Sequence, residues 1–158
     1  MNRQYPVTAG VLAPPPFIFG GGLVIALCLE AIQPMRLLPE RRAWLFAAGI
    51  PLMIFGLSLS IVVVRTFRRA TTPVSPRRPT ARLVTNGPYR YSRNPDYLAQ
   101  LAVYSAMALV LDTAWPLLFL PILVPLIRQT VILREERYLE AKFGQEYRDY
   151  KARVRRWI

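Results

Sequence analysis

Two adjacent carboxylates, Glu135 and Glu136, stand where a strongly apolar run gives way to polar sequence. Charge at the edge of hydrocarbon is costly unless it is paired or solvated. On a helix, neighbours one residue apart diverge by about 100° at 3.6 residues per turn. One carboxylate can therefore face a polar ligand while the other meets solvent or an arginine. A second polar passage, "TNGPYRYSRNPDY" from Thr85 to Tyr97, lies just before another apolar run. Asn86-Gly87 followed by Pro88 is a turn signal, and Asn94-Pro95 suits a helix N-cap followed by a first-turn proline. Tyr89, Tyr91 and Tyr97 can stack on a flat or cationic group, and Arg90 and Arg93 can hold a carboxylate or phosphate bidentately. The same passage equally suits a helix start with interfacial tyrosines and basic flanks, and the two glutamates equally suit pairing with Arg128, Arg134 or Arg137.

Composition limits the chemistry further. The chain has no histidine, the commonest metal ligand and general base. Its one cysteine, Cys28, permits neither an internal disulfide nor a cysteine-based metal site. No metal is expected, and chemistry falls to carboxylates, tyrosines, arginines and the backbone. Cys28 lies in an apolar run and reads as a buried, inert thiol.

The elements that position these residues read as membrane helices. A hydrocarbon core about 30 Å thick needs roughly 20 apolar residues in a helix. Pro16 to Ile32 is the first candidate, led by the triple proline Pro14–Pro16, and lacks the small-residue cleavage site of a signal peptide. Ala43 to Val64 is the second, kinked at Pro51, with Gly56, Ser58 and Ser60 available for close packing. Tyr97 to Leu111 and Ala114 to Leu133 form a hairpin about Asp112-Thr113, the last helix distorted by Pro116, Pro121 and Pro125. From Arg134 onward a polar helix carries an apolar-aromatic stripe of Leu139, Phe143, Tyr147, Tyr150, Val154 and Trp157, with Gly144 as a bending point. Taken alone, that stripe also suits an interfacial helix lying on anionic lipid. "TTPVSPRRPT" reads as an extended connector. The expected fold is an all-α integral membrane protein of about four transmembrane helices plus a C-terminal amphipathic cytoplasmic helix, with no Rossmann domain.

Charge orients these spans. The 158 residues carry a formal net charge of +12, but the arginines cluster at the ends of apolar runs, which argues against nucleic acid as a partner. Arg65 to Arg93 holds eight arginines and no acid, and from Arg128 onward nine cations face five acids. Both regions should face the cytoplasm, placing both termini there and the Asp112 turn outside. Arg36, Arg41 and Arg42 then fall on the outer side, against the rule.

"LVTNGPYRYSRNPDYLAQL" and "REERYLEAKFGQEYRDYKARVRRW" together resemble the isoprenylcysteine carboxyl methyltransferase and phospholipid methyltransferase superfamily, from about Arg65 to the end of the sequence. These are integral membrane enzymes that use S-adenosylmethionine, enclosed between the loop entering the penultimate span and the polar helix after the last. The resemblance implies a single domain, with 1–64 as N-terminal helices and 65–158 as the cofactor-binding core. It assigns cofactor contacts to Ala81, Arg82, Leu83, Val84, Tyr89, Asn94, Pro95, Asp96, Tyr97 and Glu135, with Arg93 and Glu136 as the catalytic pair. The sequence departs from the family pattern in three places. Asn94 replaces the usual histidine and cannot act as a titratable base. Ala99 replaces a glycine. Val131 stands where the eukaryotic carboxyl methyltransferases carry a substrate-binding arginine.

The activity implied is S-adenosyl-L-methionine-dependent methylation of a lipophilic substrate at the cytoplasmic face, acting on a phospholipid amine or an isoprenylcysteine-type carboxylate. The alternative is a non-catalytic membrane scaffold or inactive relative. Expected partners are membrane lipids and a lipophilic small molecule, with no obligate protein partner evident, and the expected location is a bacterial inner membrane.

Overall fold

Prolines mark where the helices begin. In the computed structural model, which describes residues 8–11, 13–38, 40, 42–73 and 79–158, proline occupies the first turn of α1 (Pro15–Ile32), α3 (Pro95–Val110) and α4 (Trp115–Ile127). A missing N–H costs nothing there, because those groups have no intrahelical partner. The second helix, α2 (Arg42–Arg69), carries Pro51 in its interior. Beyond Pro121 and Pro125, α4 widens into a π-helical segment (Arg128–Ile132) and then tightens into α5 (Leu133–Phe143). Val131, one of the three departures from the expected pattern, lies in this π segment and is fully buried.

The described residues form helices and no strands. Three helices are long and apolar enough to cross a membrane: α1, α2 and the continuous rod Trp115–Phe143. At 16 residues α3 is shorter, about 24 Å at 1.5 Å per residue. Three of the four expected crossings thus have the length and composition of a membrane span.

Small residues bring the helices together. On α2, Gly49 and Gly56 face α3 so closely that an added Cβ at Gly56 would lie 2.8 Å from Val103 Cγ2 and 2.9 Å from the Ala99 carbonyl oxygen. Ala99, another of the expected departures, thus falls in a fully buried helix contact. On α1, Pro15, Phe19, Gly22 and Ala26 are buried at helical spacing, with Phe19 tilted against Tyr104 at 5.6 Å. The opposite face of α1 stays bare. Cys28 lies on it and is exposed, because the narrow packed stripe of α1 excludes it.

At the end of the bundle distant from Glu135, polar groups staple the loops. Glu30 Oε2 accepts hydrogen bonds from the Met35 amide (3.0 Å) and the Thr113 hydroxyl (2.8 Å). Asp112 Oδ1 accepts from the amides of Leu37 and Leu38, both at 3.1 Å. Arg42 Nε lies 3.6 Å from Asp112 Oδ2, so one of the three arginines that offend the charge rule has a local acidic partner. Arg41 and the centre of the proposed connector, 74–78, lie outside the described residues. After α5 the chain breaks at Gly144, whose φ of 56° favours glycine, and restarts as α6 (Gln145–Arg153). The polar helix expected from Arg134 onward is thus two helices with a corner between them.

Candidate active site

The polar passage before α3 folds by its own turn chemistry. Gly87 has φ 59°, and a Cβ there would meet Thr66 Oγ1 at 3.0 Å. A short 3-10 turn, Gly87–Arg90, follows and lays Tyr89 edge-on against Phe67 of α2, with ring centroids 5.5 Å apart. Asn94 holds the N-cap position of α3, but its side chain makes no capping bond. Its amide nitrogen Nδ2 donates instead to the Arg156 carbonyl at 2.8 Å. Pro95 is buried under this turn, which leaves Asp96 and Tyr97 projecting from the first turn of α3.

Opposite them stands the first turn of α5. The Tyr97 hydroxyl donates to Glu135 Oε2 at 2.7 Å, across 38 residues of sequence. Asp96 Oδ2 accepts from Gln100 Nε2 at 2.9 Å. Glu136 turns the other way, as the 100° step requires, and meets Arg93 at 3.3 Å and Arg156 at 2.9 Å.

Between these walls lies a cavity of about 350 Å³, within the range that holds small ligands and cofactors. Leu83, Val84, Tyr89, Arg93, Asn94, Asp96, Tyr97, Glu135 and Glu136 all line it. Of the remaining expected residues, Ala81 and Arg82 are exposed and do not line it, nor does the buried Pro95. The backbone amide of Arg82 is instead bonded to Thr72 Oγ1 at 3.2 Å. Tyr91 is 77% exposed, so only Tyr89 and Tyr97 of the three motif tyrosines face the cavity.

Sequence reasoning missed part of the lining. Ala9 and Pro14–Pro16 close one side, with the Gly10 carbonyl accepting from Arg134 Nη1 at 3.0 Å. The triple proline signalled a helix start but not a wall. Thr80 and Tyr138 also line it, joined by a hydrogen bond from the Thr80 amide to the Tyr138 hydroxyl at 3.1 Å. Tyr147 and Tyr150, 2% and 4% exposed, turn the aromatic stripe of α6 inward onto the cavity rather than outward onto lipid. Their periodicity was visible in the sequence. The face it would meet was not.

The electrostatics are lopsided. Asp96 and Glu135 line the cavity, while Arg93, the one basic side chain among its described lining residues, is committed to Glu136. Tyr89, Tyr147 and Tyr150 supply no negative charge at neutral pH. Burial, aided by the charges of Asp96 and Glu135, pushes Tyr89 well above the ordinary tyrosine value. Burial and the Glu136 charge push Tyr147 up to about 12, with Arg93 opposing. Burial and Tyr147 raise Tyr150. All three are neutral hydrogen-bonding and stacking groups. The cavity thus offers carboxylate acceptors and aromatic faces, a donor set suited to a cation-bearing ligand with hydroxyl groups.

A family model described as phospholipid methyltransferase matches residues 44–146, from α2 to the start of α6. An uncharacterized protein of Haemophilus influenzae is 47% identical over 62 residues, covering 39% of this chain and 98% of that relative. No solved structure matches the chain.

Proposed function

The chain belongs to the phospholipid methyltransferase family, and on that footing we propose that it transfers a methyl group from S-adenosyl-L-methionine to an amine on a lipophilic membrane substrate. The observation that carries the reading is the meeting of Tyr97 and Glu135, two family-motif residues from distant segments, at one wall of a cavity of cofactor size.

The residues present fit the donor. Glu135 and Asp96 suit its hydroxyl and ammonium groups, and the rings of Tyr89, Tyr147 and Tyr150 suit a stacked base or a sulfonium. S-adenosylmethionine supplies an electrophilic methyl group on a positively charged sulfur. The protein contributes alignment of donor and acceptor and exclusion of water. An ammonium acceptor must lose a proton before it attacks. With Tyr89, Tyr147 and Tyr150 held neutral, that proton falls to Glu135 or Asp96. A carboxylate acceptor would need positive charge to hold it, and Arg93, the one basic side chain among the described lining residues, is already shared with Glu136 while Asp96 and Glu135 line the same space. The charge balance therefore favours an amine over a carboxylate.

The basic flanks of α2 and of the segment after α4 support a cytoplasmic face for this site under the positive-inside rule, in keeping with the bacterial inner membrane that the reading takes as its setting. Membrane lipids are then both solvent and substrate source. The test is incubation of the purified protein with methyl-labelled donor and total bacterial lipid, followed by fractionation. Label in the aminophospholipid fraction is the expected result. Label confined to thiol- or carboxylate-bearing lipid would overturn the amine assignment, and no label together with no donor binding would point to a scaffold.

A further inference from the structure

The segment after α6 folds back onto the polar passage before α3. Arg156 sets Nε and Nη2 on the two oxygens of Glu136, each at 2.9 Å. Arg93 Nη1 lies 3.3 Å from Oε1 of the same carboxylate. The Arg156 carbonyl accepts from Asn94 Nδ2 at 2.8 Å and from the Ser92 hydroxyl at 3.3 Å. The Arg155 carbonyl accepts from the Arg93 amide at 3.0 Å. On α6 itself, the Tyr150 hydroxyl donates to the Tyr89 carbonyl at 2.8 Å. Ser92, Arg93 and Asn94 thus each direct a polar group at residues 155–156.

We infer that Arg156 is a positioning residue of the cavity, and that residues 154–157 form a strap whose docking on Glu136 and Ser92–Asn94 sets the Arg93 side chain and the Tyr147–Tyr150 wall. This rests on the reading of the cavity as a methyl-donor site. The physical case lies in how Glu136 is shared. A carboxylate offers an arginine two oxygens in a fork, and the bidentate arrangement is the strong one. Arg156 holds that arrangement, so Arg93 is left with one oxygen. The Arg93 side chain is only 9% exposed, and its Nε and Nη1 have no hydrogen-bond partner. Its station in the cavity wall therefore depends on Glu136 remaining occupied by Arg156. Without Arg156, Glu136 is free to take Arg93 in the bidentate mode and draw it from the wall. The carbonyls that receive Asn94, Ser92 and the Arg93 amide are then no longer anchored by a side chain. Both Glu136 oxygens are engaged throughout, so Glu136 serves as the pin of this strap and the proton of the reaction goes elsewhere. Binding and docking must be linked reciprocally: a ligand that favours the docked strap is itself favoured by docking.

The test uses the full chain in lipid nanodiscs, with S-adenosylhomocysteine as calorimetric probe and amide hydrogen exchange across residues 92–98. Arg156→Ala should weaken probe binding about tenfold or more, as loss of a charge-assisted pair implies. It should also speed exchange of the Arg93 amide. Arg156→Lys, which keeps charge but not the fork, should fall between the two and guards against a misfolded alanine variant. The probe should slow Arg93 exchange in the wild-type protein and slow it less in Arg156→Ala, a response that a purely structural contact would not show. Probe binding equal in all three proteins, or unchanged Arg93 exchange in Arg156→Ala, would overturn the strap. Absence of probe binding in the wild-type protein would overturn the methyl-donor reading, and with it the positioning role of Arg156.

Discussion

The two ends of this helical bundle each set acidic side chains among packed helices, and they use them in opposite ways. At one end Glu30 and Asp112 receive three backbone amides, a threonine hydroxyl and an arginine. Their partners come from the loops they staple, and the result is a closed polar knot. At the other end Glu135 has Tyr97 and Asp96 has Gln100, and both carboxylates also line a cavity. An acid whose partners are the backbone amides of the loops around it holds structure, even though Asp112 Oδ2 has only the Arg42 guanidinium nearby. A half-buried acid with few partners and an adjoining space is what the proposed donor site requires. The π-helical widening at Arg128–Ile132 belongs to the second end, directly before Glu135, and such departures from α geometry recur at functional sites.

Substitutions at the two ends should separate cleanly. Glu135→Gln should lower methyl transfer about a hundredfold, in the range seen for loss of one preorganised electrostatic contact. It should leave the unfolding midpoint unchanged or raised, since it removes a charge from a poorly compensated site. Asp112→Ala should do the reverse. It strands two backbone amides and the Arg42 partner, costs about 2–4 kcal/mol of stability, and leaves donor affinity untouched, as unfolding and calorimetry on the same preparation would show. An intermediate effect belongs to the seam that joins the ends. Gly56→Val drives new atoms against Val103 and the Ala99 backbone and should cost about 1–3 kcal/mol without abolishing transfer. If Gly56→Val removed donor binding while the fold persisted, the two ends would be more tightly coupled than the comparison allows.

The smallest effect is a pH dependence. Tyr147 is held neutral up to about 12 in the folded protein, above the ordinary tyrosine value. The folded state therefore binds this proton more tightly than the unfolded chain. Its stabilising contribution is complete below pH 10 and is lost as pH rises from 10 toward 12. Tyrosinate absorbance should show a late-titrating class that moves to the ordinary range on unfolding, and transfer rates between pH 6 and 9 should contain no tyrosine step.

The helices were legible in the sequence because hydrophobic length and proline placement are local signals. Pro95 fell in a first turn as expected, Pro116 opens the last span rather than distorting it, and the Asp112-Thr113 turn and the corner at Gly144 appeared where the residues suggested. The divergence of Glu135 from Glu136 followed from helix geometry alone. What a linear reading could not supply was partner identity. Asn94 suits an N-cap by type and position, yet its side chain meets a carbonyl 62 residues away. Cys28 looked buried because its neighbours are apolar, but a helix surrounded by lipid has no need to hide its apolar face. The stripe from Leu139 to Trp157 declared an apolar face without saying whether lipid or protein would cover it. Ala81 and Arg82 were carried to the cavity by resemblance, and lie outside its wall because the segment turns toward the solvent before Leu83.

The most direct measurement is a calorimetric titration of the purified protein with S-adenosylhomocysteine, run beside Glu135→Gln and Asp112→Ala. Saturable one-to-one binding that weakens strongly in Glu135→Gln and persists in Asp112→Ala is the expected result. A wild-type protein that takes up no nucleoside, or a Glu135→Gln variant that binds it as well as wild type, would contradict the assignment of the cavity.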